Sequence, residues 1–579
     1  MSKLNIDQKT ILDLFSEKRS DFLIPDYQRP YAWADSECQT LWEDIFTFAF
    51  PQDNCDAFDD NDEYFLGPIV TFSNSNGKLE IIDGQQRLTT LMLLLRAFYE
   101  KFANMKDSNS IRTRELISTC LWKTDAFGVP DKNKLKINSE VANENDKSEF
   151  LHILTSGDAP KEMKSNYANN YRYFQERINK FLNDYPSYFA YLPIRVLRNC
   201  ILLPIEAESQ DTALRIFSTL NDRGKPLADA DIFKAKLYKY YSDKNEKDSF
   251  IQRWKSLEEI CNKTFPKQNS TPMDEIFTRY MYYLRAKAGI KNSTTEALRK
   301  FYERDNYAIL KNDETLNDLE ELAGFWNSVV NQDEERFSQR VLRRLFVLDY
   351  APNSMWTFFV SVYFMQNKDV NGSLDDEAFY NILTKITCFI LAYALIYPGV
   401  NALRTPFYPE MINVVENRPV TFEGFKFDEI KYRNVYNSYN FLNGRPITKS
   451  MITWWAFQNE NQPLLDLFTP LEIEHIYARN RAKSEDSISD IKNIELLGNK
   501  SLLEKRINIR ASDYRFKDKL KYYIGYSTKK GDYKEGSRIQ ELRSIATNKK
   551  DFTESDILVR DKQILDAFVD FLKDNDLIA

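Results

Sequence analysis

The stretch LEIEHIY, residues 471–477, sets an imidazole beside a carboxylate: His475 follows Glu474 directly, and two amides, Asn499 and Asn508, come 24 and 33 residues after the histidine in LLGNKSLLEKRIN. A neutral imidazole has the basicity to take a proton from water near neutral pH. A hard divalent cation held by a carboxylate and an amide oxygen can stabilise the charge that develops on a phosphate under attack. These residue types therefore suit phosphodiester hydrolysis with Mg2+ or Mn2+. Zinc is disfavoured, because no cysteine lies beyond Cys388 and the only other histidine is His152, which leaves too few sulfur and nitrogen ligands. The plain alternative is a strand with one buried histidine beside an exposed glutamate, followed by asparagines at a turn and a helix end.

A second polar cluster, Asp83-Gly84-Gln85-Gln86-Arg87, separates two apolar runs in KLEIIDGQQRLTTLMLLL, residues 78–95. Upstream, GPIVTF and KLEII flank Asn76-Gly77, a pair that favours the positive backbone dihedrals of a hairpin turn. Downstream, Leu88, Leu91, Met92, Leu95 and Phe98 recur at helical spacing, so Gln85, Gln86 and Arg87 belong to a first helical turn with unpaired backbone N–H groups. A phosphate would be welcome there: oriented donors, a guanidinium fork from Arg87 and the small Gly84 all favour its approach. The segment IPDYQRPYAW, residues 24–33, adds Gln28 and Arg29 beside Tyr27, Tyr31 and Trp33, planar donors and aromatic faces suited to a nucleotide or base. A helix capped by Asp83, with Arg87 on a surface carboxylate, is the reading that needs no ligand.

These two stretches together resemble the N-terminal domain of the GmrSD-type restriction proteins, a ParB and sulfiredoxin-like fold marked by a QR-PYxW segment and a DGQQR loop. Here they stand as Gln28-Arg29-Pro30-Tyr31-Ala32-Trp33 and Asp83 to Arg87. A third segment, IFSTLNDRGKPLADADIFKAKL (216–237), is similar to the same family at Asn221, Arg223, Gly224 and Asp231. Read alone it is a turn between two helices, with Asp229 or Asp231 opening the second. The resemblance implies that this domain binds and hydrolyses a nucleoside triphosphate and senses modified DNA. Glu474-His475 with Asn499 and Asn508 resembles the HNH nucleases, in the variant that accompanies such an N-terminal domain. It implies His475 as general base, Glu474 and Asn508 as metal ligands, and Asn499 as a ligand or the group that orients the histidine. Lys500, Arg506, Arg510, Lys517 and Lys519 are then phosphate contacts. Many relatives carry proline shortly after the histidine, whereas here the text is Ile476-Tyr477-Ala478, which bears on loop shape and removes no reactive group.

Three blocks must position these groups. Residues 1–207 read as an α/β domain with a helical insertion, in which NCILLPIEA (199–207) is expected to pair back with the first strands. Residues 208–450 read as a mainly helical body, with Asp211, Ser293 and Asp375 as helix starts and its first part completing the first domain. Residues 451–579 read as a separate nuclease module of strand, turn and helix. The fold class is α+β, mainly α, with a ββα-type nuclease unit. A chain of 579 residues with 43% hydrophobic and 28% charged residues has ample material for several cores. Its net charge of −7 argues against a polyanion binder by bulk charge, but residues 499–550 hold 15 Lys and Arg against 6 Asp and Glu, one place for a phosphate backbone. The acidic run DNCDAFDDNDE (53–63) reads as a solvated loop. Six scattered cysteines without a CxxC pair read as reduced thiols in a cytoplasmic protein. No membrane segment is expected, since the longest apolar run, Cys388 to Tyr397, has 10 residues.

The sequence thus points to a single-chain, modification-dependent endonuclease cutting modified double-stranded phage DNA, with a nucleoside triphosphate and a divalent metal as cofactors. Two copies would give double-strand cleavage most simply, with one nuclease centre per chain. A metal-dependent, toxin-like ribonuclease and a non-catalytic, nucleotide-controlled DNA-binding adaptor are the rivals.

Overall fold

The structure, a computed structural model, describes residues 5–579 apart from 29, 52–54, 142–143, 211, 215, 217–227, 266–270, 292–295, 400–402, 486, 513–514 and 530. Arg29, Asn221, Arg223 and Gly224, and the expected helix starts Asp211 and Ser293, lie outside the described residues. Two compact units emerge, Met1–Gln252 and Arg253–Ala579.

The first unit is built on a mixed sheet of β1 (Asn5–Ile6), β2 (Lys9–Thr10), β3 (Phe22–Ile24), β4 (Tyr64–Ser73), β5 (Leu79–Asp83), β8 (Ile137–Ser139) and β9 (Cys200–Ala207), while β6 (Trp122–Thr124) and β7 (Pro130–Leu135) form a separate ribbon. The order is β1-β9-β4-β5-β3-β8, with β2 also on β9. As the sequence led us to expect, β4 and β5 form an antiparallel hairpin whose turn carries Gly77 at φ 73°, and the distant run Cys200–Ala207 returns to lie parallel to β4. Helix α1 (Gln85–Phe102) starts directly after β5. Its residues Leu88, Leu91, Met92, Leu95 and Phe98 are all fully buried, each worth about 1.5–3 kcal/mol in apolar transfer. Around it pack α2 (Asn166–Asp184), and further along the chain α3 (Asp229–Asp243) brings Tyr238 onto Tyr27.

The second unit is helical for most of its length: α4 (Pro272–Lys287), α5 (Asp313–Val330), α6 (Gln339–Asp349), α7 (Met355–Asn367), α8 (Asp376–Ile396), α9 (Glu429–Ser438) and α10 (Pro446–Ala456) precede a short hairpin of β10 (Leu471–His475) and β11 (Lys500–Glu504). Asp375 caps α8, accepting from Ala378 N at 2.8 Å, as its residue type predicted. The expected boundary at 450/451 falls inside this unit. The reason is the last helix, α15 (Glu554–Asp574), which runs back over the body: Phe568 and Phe571 pack on Trp454 of α10 at 4.8 and 5.4 Å between ring centres, and Phe568 stacks on Tyr432 of α9. A continuous aromatic core therefore joins what the sequence pattern separates. Among the described residues one helix, α8, is long and apolar enough to cross a membrane, and 61% of its most apolar window is buried within this core. The polar residues around its apolar run of 10 had hidden that length.

Cys38, Cys120, Cys200, Cys261 and Cys388 are free and buried.

Candidate functional site

His475 ends β10 and faces Lys500, the first residue of β11, across the antiparallel ladder. Because successive strand residues point to opposite faces, His475 and Glu474 cannot share a side. The two faces carry two different clusters.

On the histidine face, the imidazole is 9% exposed and its Nε2 has no hydrogen-bond partner. Oε2 of Glu495 stands 3.6 Å from Nε2 and accepts from Lys500 Nζ at 2.6 Å, while Oε1 takes Arg479 Nη2 at 2.6 Å. Lys500 is fully buried and also donates to Asn443 Oδ1 at 2.8 Å. Burial lowers the His475 pKa below its ordinary 6.5, and the nearby Lys500 and Arg479 charges add to this against an opposing pull from Glu495. Burial alone would raise the Glu495 pKa, but the nearby imidazole of His475 and the hydrogen-bonded ammonium of Lys500 hold it well below the usual carboxylate range. The cluster therefore contains a neutral imidazole with a free nitrogen, an ionised carboxylate and two cations. Arg479, about half exposed, is the cation a phosphate could reach.

The loop between the strands is fixed by Asn499, which is fully buried. Its Oδ1 accepts from Tyr477 N at 2.7 Å, and its Nδ2 donates to the carbonyls of Tyr477 and Ile494 at 3.1 and 3.0 Å. Asn499 is thus a positioning residue for the chain that leaves His475. Ile476, Tyr477 and Ala478 are buried, and Tyr477 O–H meets Ser487 at 2.5 Å. Behind the turn, Arg560 donates to the carbonyls of Leu497, Gly498 and Lys500 at 2.8–2.9 Å and to both oxygens of Glu541. A side chain on Gly498 would come within 2.0 Å of Ile557 O, so only glycine lets α15 approach here.

On the opposite face, Glu474 is 4% exposed and its Oε1 takes Lys519 Nζ at 2.7 Å and Tyr523 O–H at 2.5 Å, both from α13 (Phe516–Ile524). Lys519 also donates to the His475 carbonyl at 2.8 Å. Asn508, on α12 (Lys505–Ala511), donates its amide to Glu472 at 2.8 Å. The expectation that Glu474, Asn508 and His475 converge on one cation is therefore corrected: strand alternation separates them, and an ammonium already occupies the Glu474 oxygen. No group of three or more His, Cys, Asp or Glu among the described residues is placed to hold a metal ion. As arranged, these side chains do not fit a divalent cation. Lys500 and Lys519 are likewise corrected as phosphate contacts, since each is buried in an ion pair. Arg506 and Lys517 are exposed and Arg510 is half-buried, so these remain accessible to a backbone.

In the first unit, the two polar stretches do come together, though chiefly to hold each other. Gln85 Nε2 donates to Gln28 Oε1 at 3.1 Å, and Gln86 takes Ala32 N at 2.7 Å while giving to the Pro30 carbonyl at 3.1 Å. Tyr31 and Tyr27 are not open faces: Tyr31 is stacked on Tyr167 at 4.6 Å and bonded to Thr90 and Asn170, and Tyr27 packs against Tyr238 at 4.9 Å. Trp33 is half-buried. Gly84 sits at φ 92° as the residue before α1, which permits the sharp turn from β5. Arg87 is half-buried and donates to the Pro68 carbonyl at 3.0 Å; its guanidinium rests on Gly67, where a Cβ would approach within 3.0 Å. Burial lowers its pKa, with Asp83 opposing. Arg87 and the start of α1 are what this cluster offers an anion. Asp231 lies half-buried in the first turn of α3.

Sequence reasoning missed Glu495, Arg479, Asn443, Tyr523 and Arg560. Only Glu495, four residues before Asn499, carried a readable signal, as a carboxylate close in sequence to the motif.

The titration of His475 should follow this cluster. With the imidazole kept neutral by burial, its midpoint in an NMR titration should lie below 6.5. In Glu495→Gln the group that favours the imidazolium is lost while Lys500 and Arg479 remain, so the midpoint should move to still lower pH. A midpoint moving upward would exclude Glu495 from the histidine's surroundings.

The family model for the GmrSD restriction endonuclease N-terminal domain matches residues 11–238, and that for the GmrSD restriction endonuclease C-terminal domain matches residues 428–567. No curated protein matches the chain. The Asp83–Arg87 cluster lies within the first match and the His475–Glu495 cluster within the second. With both halves of that architecture present in order, the chain belongs to the GmrSD restriction endonucleases.

Proposed function

We propose that this chain cleaves modified phage DNA, that its HNH-like C-terminal region does so with His475 as general base, and that its N-terminal domain binds and hydrolyses a nucleoside triphosphate that licenses the cut. The observation carrying the reading is the unpaired Nε2 of a buried, neutral His475 beside the Arg479–Glu495–Lys500 cluster. Nε2 takes a proton from water as the oxygen attacks phosphorus, and the bond from phosphorus to one sugar oxygen breaks, that oxygen leaving as a hydroxyl with a proton from solvent. Arg479, at the edge of the cluster, contacts a non-bridging phosphate oxygen, and Glu495 holds the arginine and offsets the positive charge that forms on the imidazole. Arg506, Arg510 and Lys517 contribute salt-dependent backbone contacts. Arg87 and the N-terminus of α1 hold the triphosphate.

The test is a cleavage assay on DNA of one sequence carrying ordinary, hydroxymethylated or glucosylated cytosine or phosphorothioate links, with structured RNA alongside. Each is run with and without triphosphate, in Mg2+, Mn2+ and chelator. Cleavage confined to one modified DNA supports the reading, and double-strand breaks rather than nicks would indicate action by two copies. Cleavage of RNA with all DNA intact would make it a ribonuclease. Tight, salt-sensitive DNA binding with no turnover in any ion would make it an adaptor.

A further inference from the structure

Between the two matched stretches, the helical part of the second unit contains a buried cation that none of the chemistry above uses. The side chain of Arg279, on α4, is 8% exposed and pairs with Glu275 one turn earlier at 2.9 Å. Its guanidinium carbon lies 4.1 Å from the ring centre of Trp326 and 4.8 Å from that of Phe265. Nε and Nη1 have no hydrogen-bond partner. Buried donors without acceptors are costly and uncommon. Burial lowers the Arg279 pKa to about 10, which still leaves it charged at neutral pH.

Arg279 lines a cavity of about 180 Å³, whose other sides include Leu345, Phe346, Trp356 and Asp349. An apolar cavity of roughly 150 Å³ accepts benzene, so this one has room for a six-membered ring and a substituent. Aromatic walls favour a flat body, and a charged donor at the wall demands an acceptor on the part of the ligand that reaches it.

We propose that this cavity is a binding site for a single flat ring bearing a carbonyl or carboxylate oxygen, which is received by Arg279, itself held against Trp326 and Phe265. An oxo-pyrimidine and an arene carboxylate share that chemistry. The ring has two sources: a free small molecule, or a base turned out of a nucleic-acid strand with its sugar left at the rim. The site does not depend on the cleavage reading, because its occupancy is measured without turnover.

The experiment is equilibrium dialysis of the full chain against uracil, benzoate and benzene separately, the last having the ring and no acceptor. Uracil or benzoate should bind saturably and at least tenfold more tightly than benzene. That preference should vanish in Arg279→Met, and Leu345→Phe, which narrows the cavity, should weaken all three. Circular dichroism establishes that each variant is folded. If neither is, the comparison of the three probes on the unaltered chain decides. Equal affinity for benzoate and benzene, or saturable binding of none, overturns the proposal and leaves a cavity holding water. A short duplex with one unpaired thymine that displaces uracil identifies an extruded base as the source. Failure of the duplex to compete, with uracil bound, identifies a free molecule.

Discussion

Replacing His475 with alanine should reduce DNA cleavage about a thousandfold, within the 10²–10⁴ range that general-base removal produces, while leaving DNA and triphosphate binding within a few-fold of the unaltered chain. The separation is expected because the imidazole makes no hydrogen bond through Nε2, so its loss breaks no bond there, and because Arg506 and Lys517 are exposed residues of α12 and α13 rather than of the strand that carries it. A single-turnover rate measured at saturating protein isolates the chemical step from binding. The controls are salt-dependent binding to the same duplex and thermal unfolding, both of which should change little. A loss below tenfold would mean that the proton goes elsewhere, and the cluster around Glu495 would then be structural. A loss matched by lost DNA binding would mean that the substitution disturbed the loop pinned by Asn499.

Much of the local structure was legible because it rests on short-range rules. Asn76-Gly77 needs only its own backbone preference to make a hairpin, and Leu88 to Phe98 need only the helical period to define a buried face. Asp375 caps α8 through a bond three residues away. The return of Cys200–Ala207 to β4 was also readable, since an apolar strand of that length requires a sheet to join. What escaped reading depends on partners set by the fold. Nothing near Glu474 in sequence announces Lys519 and Tyr523, 45 and 49 residues on, nor could the periodicity of α15 reveal that Arg560 would grip the turn before β11. The glutamines of the DGQQR loop show the same limit from the other side: their polarity suggested ligand contacts, yet tertiary placement gives Gln85 to Gln28 and Gln86 to the backbone at Ala32. Strand alternation was available from the sequence and, applied to adjacent residues 474 and 475, would have separated carboxylate from imidazole at the outset.

That separation has a direct consequence for Lys519→Met. The substitution removes the ammonium from a carboxylate that is 4% exposed and leaves Tyr523 as its remaining hydrogen-bond donor. Breaking one side of a buried ion pair costs about 3–5 kcal/mol, to be read as a lowered denaturant midpoint for the second unit. Glu474→Gln should also destabilise, since the buried ammonium then lacks its counter-charge. The double variant Glu474→Gln/Lys519→Met removes both charges and should recover most of the loss, giving a coupling of about 2–3 kcal/mol between the two sites. Cleavage separates the two roles of Glu474. If it only anchors α13 against β10, the stabilised double variant keeps its rate in Mg2+ or Mn2+, because His475, Glu495 and Arg479 lie on the other face. If the carboxylate instead leaves Lys519 to hold a cation during turnover, the double variant is folded and inactive, and calorimetric titration with Mn2+ shows a site in the parent that the variant lacks.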